Sequence, residues 1–210
     1  MDAVEREEEE VNTLKQQFRF LPDKYKDCYL VYILTEKRQS TAIVFARSPD
    51  VCRLALMLQY LGIRAIPITG HMEESQRLLA SGMFKAGQFN VLICTDIAIR
   101  DLDIPSVDII ISYDIPSNPQ YYVYRIGRTA CDGRSGVAIS LVNQYELEWY
   151  TKIEKLIGKE LPEFPAQEEE VLQFLEPVKE AKILAESVRN VHPNLVYLLF
   201  IINNWGFPIT

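Results

Sequence analysis

Two short apolar runs, each followed by polar residues, constrain the fold of this chain more than any other feature. Residues 91–94 and, apart from Asp108, residues 107–111 are apolar and mostly β-branched, which is typical of strands buried on both faces. The first run leads into Thr95, and the second leads, one residue later, into Tyr113 and Asp114. Because ligands of open α/β sheets bind at the carboxyl ends of the strands, these polar groups are predicted to mark the functional site.

Strand and helix patterns alternate along most of the sequence. Further strands are predicted at residues 18–21, 41–45, 65–68 and 136–142, with helical patterns between them. The first helical pattern, residues 24–37, is amphipathic. The proline at position 67 favours an edge or a strand-end position for its strand. Alternation of this kind, with short connections, indicates a parallel sheet covered by helices on both faces. The predicted fold class is therefore α/β.

The charge balance of the chain argues against a generic nucleic-acid-binding protein. The formal net charge is −7 at pH 7, and much of the negative excess lies in the first ten residues, so local patches matter more than the total. The four cysteines form no C-x-x-C pair, and the presence of only two histidines argues against a zinc site. We therefore expect reduced thiols in an intracellular protein.

Nothing in the sequence predicts a membrane span or a secretory signal. The amino terminus is acidic, unlike that of a signal peptide. The longest apolar run, residues 195–202, is far shorter than the roughly 20 residues that a membrane span needs. We expect a soluble protein without a membrane partner.

A proline-rich break at residues 161–165 divides the sequence into unequal parts. The predicted organisation is an acidic lead-in over 1–17, a main domain over 18–164, a helical extension over 165–190 and an apolar tail over 191–210. The helical extension is predicted to be interrupted at Pro177. Three interpretations of the tail remain open: a buried extra strand, a partner-binding segment, or sequence foreign to the fold.

Several charged and hydroxyl side chains follow the predicted strands in a pattern that suits a polyanion. Arg125 and Arg128 are three residues apart on a predicted helix, so both could point to one edge and hold a phosphoryl group. Asp103 is a candidate partner for a ribose hydroxyl, and Thr95 and Arg77 could clamp a nucleic-acid backbone. The alternative is that these groups cap helices and pair across loops.

Four segments, in order, resemble the motifs of the carboxy-terminal RecA-like domain of DEAD-box RNA helicases. They are AIVFARS (42–48), TGHMEESQR (69–77), CTDIAIRDLDIP (94–105) and YRIGRTACDGRSG (124–136). The resemblance continues through IGKELPEFPAQEEEV (157–171) and is greatest to the nucleolar subfamily that acts in ribosomal-RNA processing. It covers roughly residues 18–189. It implies a RecA-like sheet of the P-loop NTPase type, with helices on both faces and a helical carboxy-terminal extension.

The resemblance assigns one set of residues to ATP and another to RNA. The nucleotide-contacting set is Asp103 (on the ribose), Arg100, Arg125 and Arg128. Arg125 and Arg128 are the catalytic candidates, and Arg128 is the candidate finger for the γ-phosphate. The RNA-contacting set is Arg47, Gly70, Arg77 and Thr95. Because the family contacts the sugar–phosphate backbone, RNA binding should be weak and indifferent to sequence.

Five positions depart from the family pattern. The H-R-x-G-R-x-x-R motif begins here with Tyr124 instead of histidine and ends with Cys131 instead of arginine. Asp101 replaces the glycine of R-G-x-D, Glu74 replaces the glutamine of Q-x-x-R, and Thr69 replaces a histidine. Since an arginine finger contributes roughly 10³–10⁵ in rate, the change at Cys131 alone could silence hydrolysis.

The sequence contains neither a G-x-x-x-x-G-K-[ST] segment nor an Asp-Glu-Ala-Asp segment. The lysine that grips the phosphates and the acid that holds Mg²⁺ therefore have no source in this chain, and no metal site is predicted in it. ATP with Mg²⁺ is expected only if a separate amino-terminal helicase domain supplies these groups.

The resemblance implies that the chain is the carboxy-terminal half of an ATP-dependent RNA helicase, which is a hydrolase. It also implies a role in ribosomal-RNA processing and a location in the nucleus, within the nucleolus. This half would bind RNA and nucleotide but be inactive as an isolated chain. The alternatives are a non-catalytic interaction domain that docks onto ribosome-assembly factors and a truncated, degenerate paralogue.

Overall fold

A sheet of parallel strands organises the fold. The structure is a computed structural model that describes residues 14–129 and 135–191, with side chains described up to residue 188. Within these residues the strands are β1 (Leu14–Phe20), β2 (Ala42–Phe45), β3 (Ala65–Ile68), β4 (Val91–Cys94), β5 (Ile109–Ser112) and β6 (Gly136–Val142). Their order across the sheet is β1-β6-β5-β2-β4-β3, and every neighbouring pair is parallel.

Helices connect the strands and follow the last of them. They are α1 (Lys26–Glu36), α2 (Ser48–Tyr60), α3 (Glu74–Lys85), α4 (Gln120–Ile126), α5 (Leu147–Ile157), α6 (Glu168–Leu172) and α7 (Leu175–Val191). A short 3₁₀ turn, Asp23–Tyr25, precedes α1. Within the described part of the chain, no helix is long and apolar enough to cross a membrane.

Alternate residues of the central strands enter two separate hydrophobic clusters. In β2, Val44 joins residues of α1, α2 and α7, whereas Ile43 and Phe45 join residues of α3. All four residues of β2 are buried. This arrangement confirms the predicted parallel sheet with helices on both faces.

The strands end together at one edge of the sheet. Phe45 of β2 is in register with Cys94 of β4 and with Ser112 of β5, and Ile68 of β3 is in register with Cys94. The segments that follow these four strands therefore emerge side by side, as the sequence pattern predicted.

Among the central strands, β2 and β5 begin later than predicted, and β2 begins at Ala42 and not at residue 41. β5 begins at Ile109 and not at residue 107, because Val107 instead forms an isolated bridge with Thr129. β3 is an edge strand, which confirms the expectation that Pro67 favours an edge or strand-end position.

The first strand replaces the end of the predicted acidic lead-in. The lead-in was expected to reach Gln17, with a short strand from residue 18, but β1 begins at Leu14. Gln16 and Gln17 are buried: the Tyr122 hydroxyl donates to Gln16 Oε1 at 3.0 Å, and Gln17 Nε2 donates to the Glu163 carbonyl at 3.4 Å. These two buried polar residues interrupt the apolar pattern that predicts a strand. Residues 1–13 lie outside the described part of the chain.

The helical extension packs against α1 and α2. Val178, Ala181 and Ala185 of α7 are buried in the cluster that contains α2. α1 was expected to be amphipathic, but it is buried from Lys26 to Leu34 because α6 and α7 cover its outer side. The predicted interruption at Pro177 falls in the first turn of α7, and the break between α6 and α7 lies just before it. The apolar tail lies, apart from Val191, outside the described residues.

Candidate functional site

A cavity of about 440 Å³ opens where β2, β3, β4 and β5 end. Three of the predicted RNA-contacting residues, Arg47, Gly70 and Thr95, line it. The fourth, Arg77, lies on α3 and is not part of the cavity wall; its Nε is buried and has no hydrogen-bond partner among the described residues. The structure therefore brings together residues from three loops that are separate in sequence.

Arg47 presents a charged guanidinium to the cavity. Its backbone N–H and its Nη2 donate to the two carboxylate oxygens of Asp114, at 2.7 and 2.9 Å. Its Nη2 also lies 3.5 Å from Glu146 Oε1, yet the side chain stays 58% exposed. Partial burial alone would lower the pKa of Arg47, but the carboxylates of Asp114 and Glu146 raise it. The guanidinium is thus oriented, charged and still accessible.

A buried ion pair between Lys26 and Glu146 lies next to the Arg47–Asp114 pair. Lys26 Nζ donates to the Glu146 carboxylate and, at 2.7 Å, to the Tyr113 carbonyl. Glu146 Oε1 accepts from the Ile115 N–H at 3.0 Å. Both side chains of the pair are almost completely buried. The pair thus fixes the loop that carries Asp114. No sequence pattern predicts this pair, because Lys26 and Glu146 lie 120 positions apart.

Arg125 is an internal residue of the cavity wall. Its Nε and Nη2 donate to both carboxylate oxygens of Asp96, at 2.7 and 2.8 Å, and its Nη1 donates to the Asp114 carbonyl at 2.7 Å. The guanidinium also lies over the Phe45 ring, 4.9 Å from its centroid. The bidentate pair with Asp96 leaves little of Arg125 free for a ligand.

Arg128 lies in a different environment. Its Cζ is 4.5 Å from the centroid of the Tyr124 ring, and its Nη2 donates to the Tyr124 hydroxyl. The expectation that Arg125 and Arg128 share one helical face is wrong, because α4 ends at Ile126 and Arg128 lies two residues beyond it. Arg125 therefore points inward, whereas Arg128 rests, partly exposed, on Tyr124.

The remaining predicted nucleotide contacts lie outside the cavity wall. The Asp103 side chain is 93% exposed and pairs with Lys85 of α3. Arg100 lies over the Tyr121 ring, 5.0 Å from its centroid. These groups, with Arg128, suit phosphate charge and one ribose hydroxyl, which is only part of an ATP molecule. Across residues 14–129 and 135–191, no group of three His, Cys, Asp or Glu residues could hold a metal ion.

One departure from the family pattern has a local explanation. Glu74 begins α3, where a carboxylate is favourable beside the helix N-terminus. Thr69 is buried, and its backbone N–H donates to Met72 Sδ at 3.2 Å. Asp101 is exposed in the turn after Arg100. Cys131 lies outside the described residues.

Three comparisons place these features among known proteins. A family model described as the helicase conserved C-terminal domain matches residues 25–133. Over 176 residues the chain is 64% identical to DEAD-box ATP-dependent RNA helicase 10 of Arabidopsis thaliana. The aligned residues are 83% of this chain and 39% of that protein. Over 176 residues this chain is 45% identical to ATP-dependent rRNA helicase RRP3 of Gibberella zeae, covering 83% and 36%.

The fold is also that of a solved helicase structure. The chain matches an S. cerevisiae Dbp5 variant bound to RNA and ADP BeF3 with a TM-score of 0.68 and 27% identity, covering 81% of this chain and 46% of that one. This likeness confirms the RecA-like prediction. The chain spans about two-fifths of the length of the curated relatives given above, at 39% and 36%.

Proposed function

The chain belongs to the helicase conserved C-terminal domain family of the DEAD-box RNA helicases, and we propose that it is the carboxy-terminal RecA-like half of an ATP-dependent helicase acting on ribosomal RNA. One observation carries the proposal: Arg47, Gly70 and Thr95, from three separate motifs, line one cavity at the strand ends. The 45% identity to an rRNA helicase supports the choice of substrate. The same identity supports our proposal that the protein acts in the nucleolus.

In this RNA-binding role, the sugar–phosphate backbone would contact the residues at the rim of the cavity. Arg47 offers an accessible cation, Thr95 offers a hydroxyl, and Gly70 lets the backbone approach closely. Arg77 would add a phosphate contact from α3. With so few cations and a net charge of −7, the isolated chain should bind RNA weakly and lose it quickly as salt rises.

The nucleotide-binding role uses residues beside the cavity. ATP supplies the phosphoryl group that is transferred to water when Mg²⁺ and an amino-terminal helicase domain are also present. Of this chain's residues, Arg128 and Arg100 would face phosphate charge, and Asp103 would accept from the ribose after releasing Lys85. Arg125 would act indirectly, since its guanidinium holds Asp96 and the Asp114 carbonyl together.

The RNA role is tested by binding of the whole chain to two unrelated single-stranded RNAs of equal length, followed by fluorescence anisotropy over a range of salt concentrations. We expect similar weak affinities for both and a steep loss of affinity with salt. Arg77→Ala should lower both affinities alike. A strong preference for one sequence that disappears in this variant would contradict backbone recognition.

A second function, a non-catalytic docking domain for ribosome-assembly factors, is favoured by a different observation. α7 carries exposed apolar side chains at Ile183 and Leu184, away from the residues that pack on α2. A pull-down with the tagged chain and with Ile183→Ser/Leu184→Ser tests this function. Ribosome-assembly factors recovered only by the unsubstituted chain would support it, and equal recovery would contradict it.

A further inference from the structure

The two residues that follow β5, Tyr113 and Asp114, are held tightly at the end of the sheet. Both are buried, and their backbone N–H groups donate to the Phe45 carbonyl at 3.0 and 3.2 Å. The Tyr113 carbonyl accepts from Lys26 Nζ at 2.7 Å. The Asp114 carbonyl accepts from Arg125 Nη1 at 2.7 Å. These main-chain hydrogen bonds fix the backbone of the dipeptide.

The Tyr113 side chain connects the dipeptide to the helices on one face of the sheet. Its hydroxyl donates to Asp27 Oδ1 of α1 at 2.8 Å and accepts from Arg53 Nη2 of α2 at 3.3 Å. Burial and the Asp27 carboxylate raise the pKa of Tyr113 well above its ordinary value, so the hydroxyl keeps its proton and donates. Asp27 also accepts from Lys182 of α7 at 3.0 Å. The position of Tyr113 therefore depends on three helices.

The Asp114 side chain, in contrast, lines the cavity and binds Arg47. Its two oxygens accept from the Arg47 backbone N–H and from Nη2, at 2.7 and 2.9 Å. The other carboxylate near this guanidinium, Glu146, is 3.5 Å away and is already bound by Lys26 and by the Ile115 N–H. Asp114 is therefore the main restraint on the direction of the Arg47 side chain.

We propose that Asp114 is a positioning residue for RNA binding: it orients the Arg47 guanidinium, and the Tyr113 hydroxyl holds Asp114 in place. The proposal rests on the RNA-binding function above and adds to it two residues that act through Arg47. A guanidinium that is already oriented loses less conformational freedom when it contacts a phosphate. Asp114 thus favours RNA binding despite its own negative charge.

Asp114→Asn separates orientation from electrostatics, because the two effects have opposite signs. Removal of a carboxylate beside a phosphate-binding cation should raise RNA affinity if charge alone matters, whereas release of Arg47 should lower it. We expect the affinity for single-stranded RNA to fall roughly 2- to 10-fold, the range for one lost hydrogen bond. In an Arg47→Ala background the same substitution should leave the affinity unchanged or raise it. Fluorescence anisotropy with a labelled RNA measures the single variants and the double variant.

Tyr113→Phe tests the buried part of the connection without changing any charge. We expect a loss of RNA affinity smaller than that of Asp114→Asn, and no loss in the Arg47→Ala background. Tyr122→Phe is the matched control, because it removes a buried hydroxyl that donates to Gln16 Oε1 at 3.0 Å and does not line the cavity. Urea unfolding checks that each variant is folded under the binding conditions. If Asp114→Asn is not folded, Tyr113→Phe decides alone.

The orientation of Arg47 can also be measured without RNA. The NMR signal of its Nε–H group is identified by its absence in Arg47→Ala. Heteronuclear relaxation of this signal should show greater motion of the side chain in Asp114→Asn and in Tyr113→Phe than in Tyr122→Phe. Equal motion in the three variants would overturn the proposal.

The outcomes distinguish this proposal from the function on which it rests. If the unsubstituted chain binds RNA, then a higher affinity of Asp114→Asn, or equal losses with and without Arg47, would overturn the proposal alone. An effect of Tyr113→Phe no larger than that of Tyr122→Phe would do the same. Absence of RNA binding by the unsubstituted chain would overturn the RNA function and the proposal with it.

Discussion

Arg47 shows how a single residue can be both restrained and available. Its backbone and its guanidinium are bound to one carboxylate, Asp114, while more than half of the side chain faces solvent. A cation held in this way loses less conformational freedom when it contacts a phosphate. Arg125, by contrast, gives all three of its donor nitrogens to groups of the same chain. Arg47 and Arg125 therefore differ in role because they differ in burial and in hydrogen-bond partners, although both are arginines.

Arg47→Ala should weaken binding to unrelated single strands by a similar factor and reduce the slope of log affinity against log salt by about one, because one phosphate contact is lost. The control is Arg38→Ala, which removes the same charge from an exposed position before β2, at the opposite edge of the sheet. Anisotropy at several salt concentrations measures both. Equal slopes for the two variants would contradict the assignment of Arg47.

Lys26→Met should destabilise the fold by about 3–5 kcal/mol, because it leaves the buried Glu146 carboxylate without its cation. Adding Glu146→Gln should restore part of the loss, since the amide oxygen still accepts from the Ile115 N–H. Urea unfolding of the two single variants and the double variant gives the coupling energy. Strictly additive effects would show that the pair is not coupled.

At the scale of elements, a charged cluster joins the extension to the main sheet. Asp27 of α1 accepts from Arg53 Nη1 of α2 and from Lys182 Nζ of α7, both at 3.0 Å, and from the Tyr113 hydroxyl at 2.8 Å. Burial alone would raise the pKa of Asp27, but these partners lower it below its ordinary value of 3.8. One carboxylate thus holds three elements together.

The lowered pKa of Asp27 predicts how the free energy of unfolding depends on pH. The contribution of ionised Asp27 is complete above its unfolded pKa and is lost as the pH falls through the lower folded pKa. The wild type should therefore be more stable than Asp27→Asn near neutral pH, and the difference should shrink below about pH 4. Urea unfolding from pH 7 to pH 3 measures it. A difference that stays constant over this range would contradict the charge-based account.

Lys182→Met should have a smaller effect than Asp27→Asn, since the Lys182 side chain is 44% exposed and solvent screens its charge. The expected loss is about 0–1 kcal/mol of global stability, together with faster amide hydrogen exchange in α7. Lys179→Met is a matched control on the same helix, because Lys179 pairs only with the exposed Glu176 among the described partners. Equal exchange in the two variants would show that Lys182 does not hold the extension.

At the scale of the whole molecule, apolar patterns predicted the fold better than the site. β4 was predicted with its exact bounds because its run is apolar and uninterrupted. β1 was partly missed because its buried glutamines are satisfied by Tyr122 and Glu163, which are distant in sequence. The cavity could be anticipated from the strand ends. The Lys26–Glu146 pair could not, because a single sequence does not show which distant charges meet.

We expect this chain to carry only half of an ATP site, and we expect Asp101 and Cys131 to weaken that half. The most direct measurement is RNA-stimulated phosphate release by the chain alone and by the chain fused, from Leu14 onward, behind an active amino-terminal DEAD-box domain. The fusion is compared with one that also carries Asp101→Gly and Cys131→Arg. We predict no release by the chain alone and more release by the substituted fusion than by the unsubstituted one. RNA-stimulated release by the pure chain alone, or equal release by the two fusions, would contradict the account.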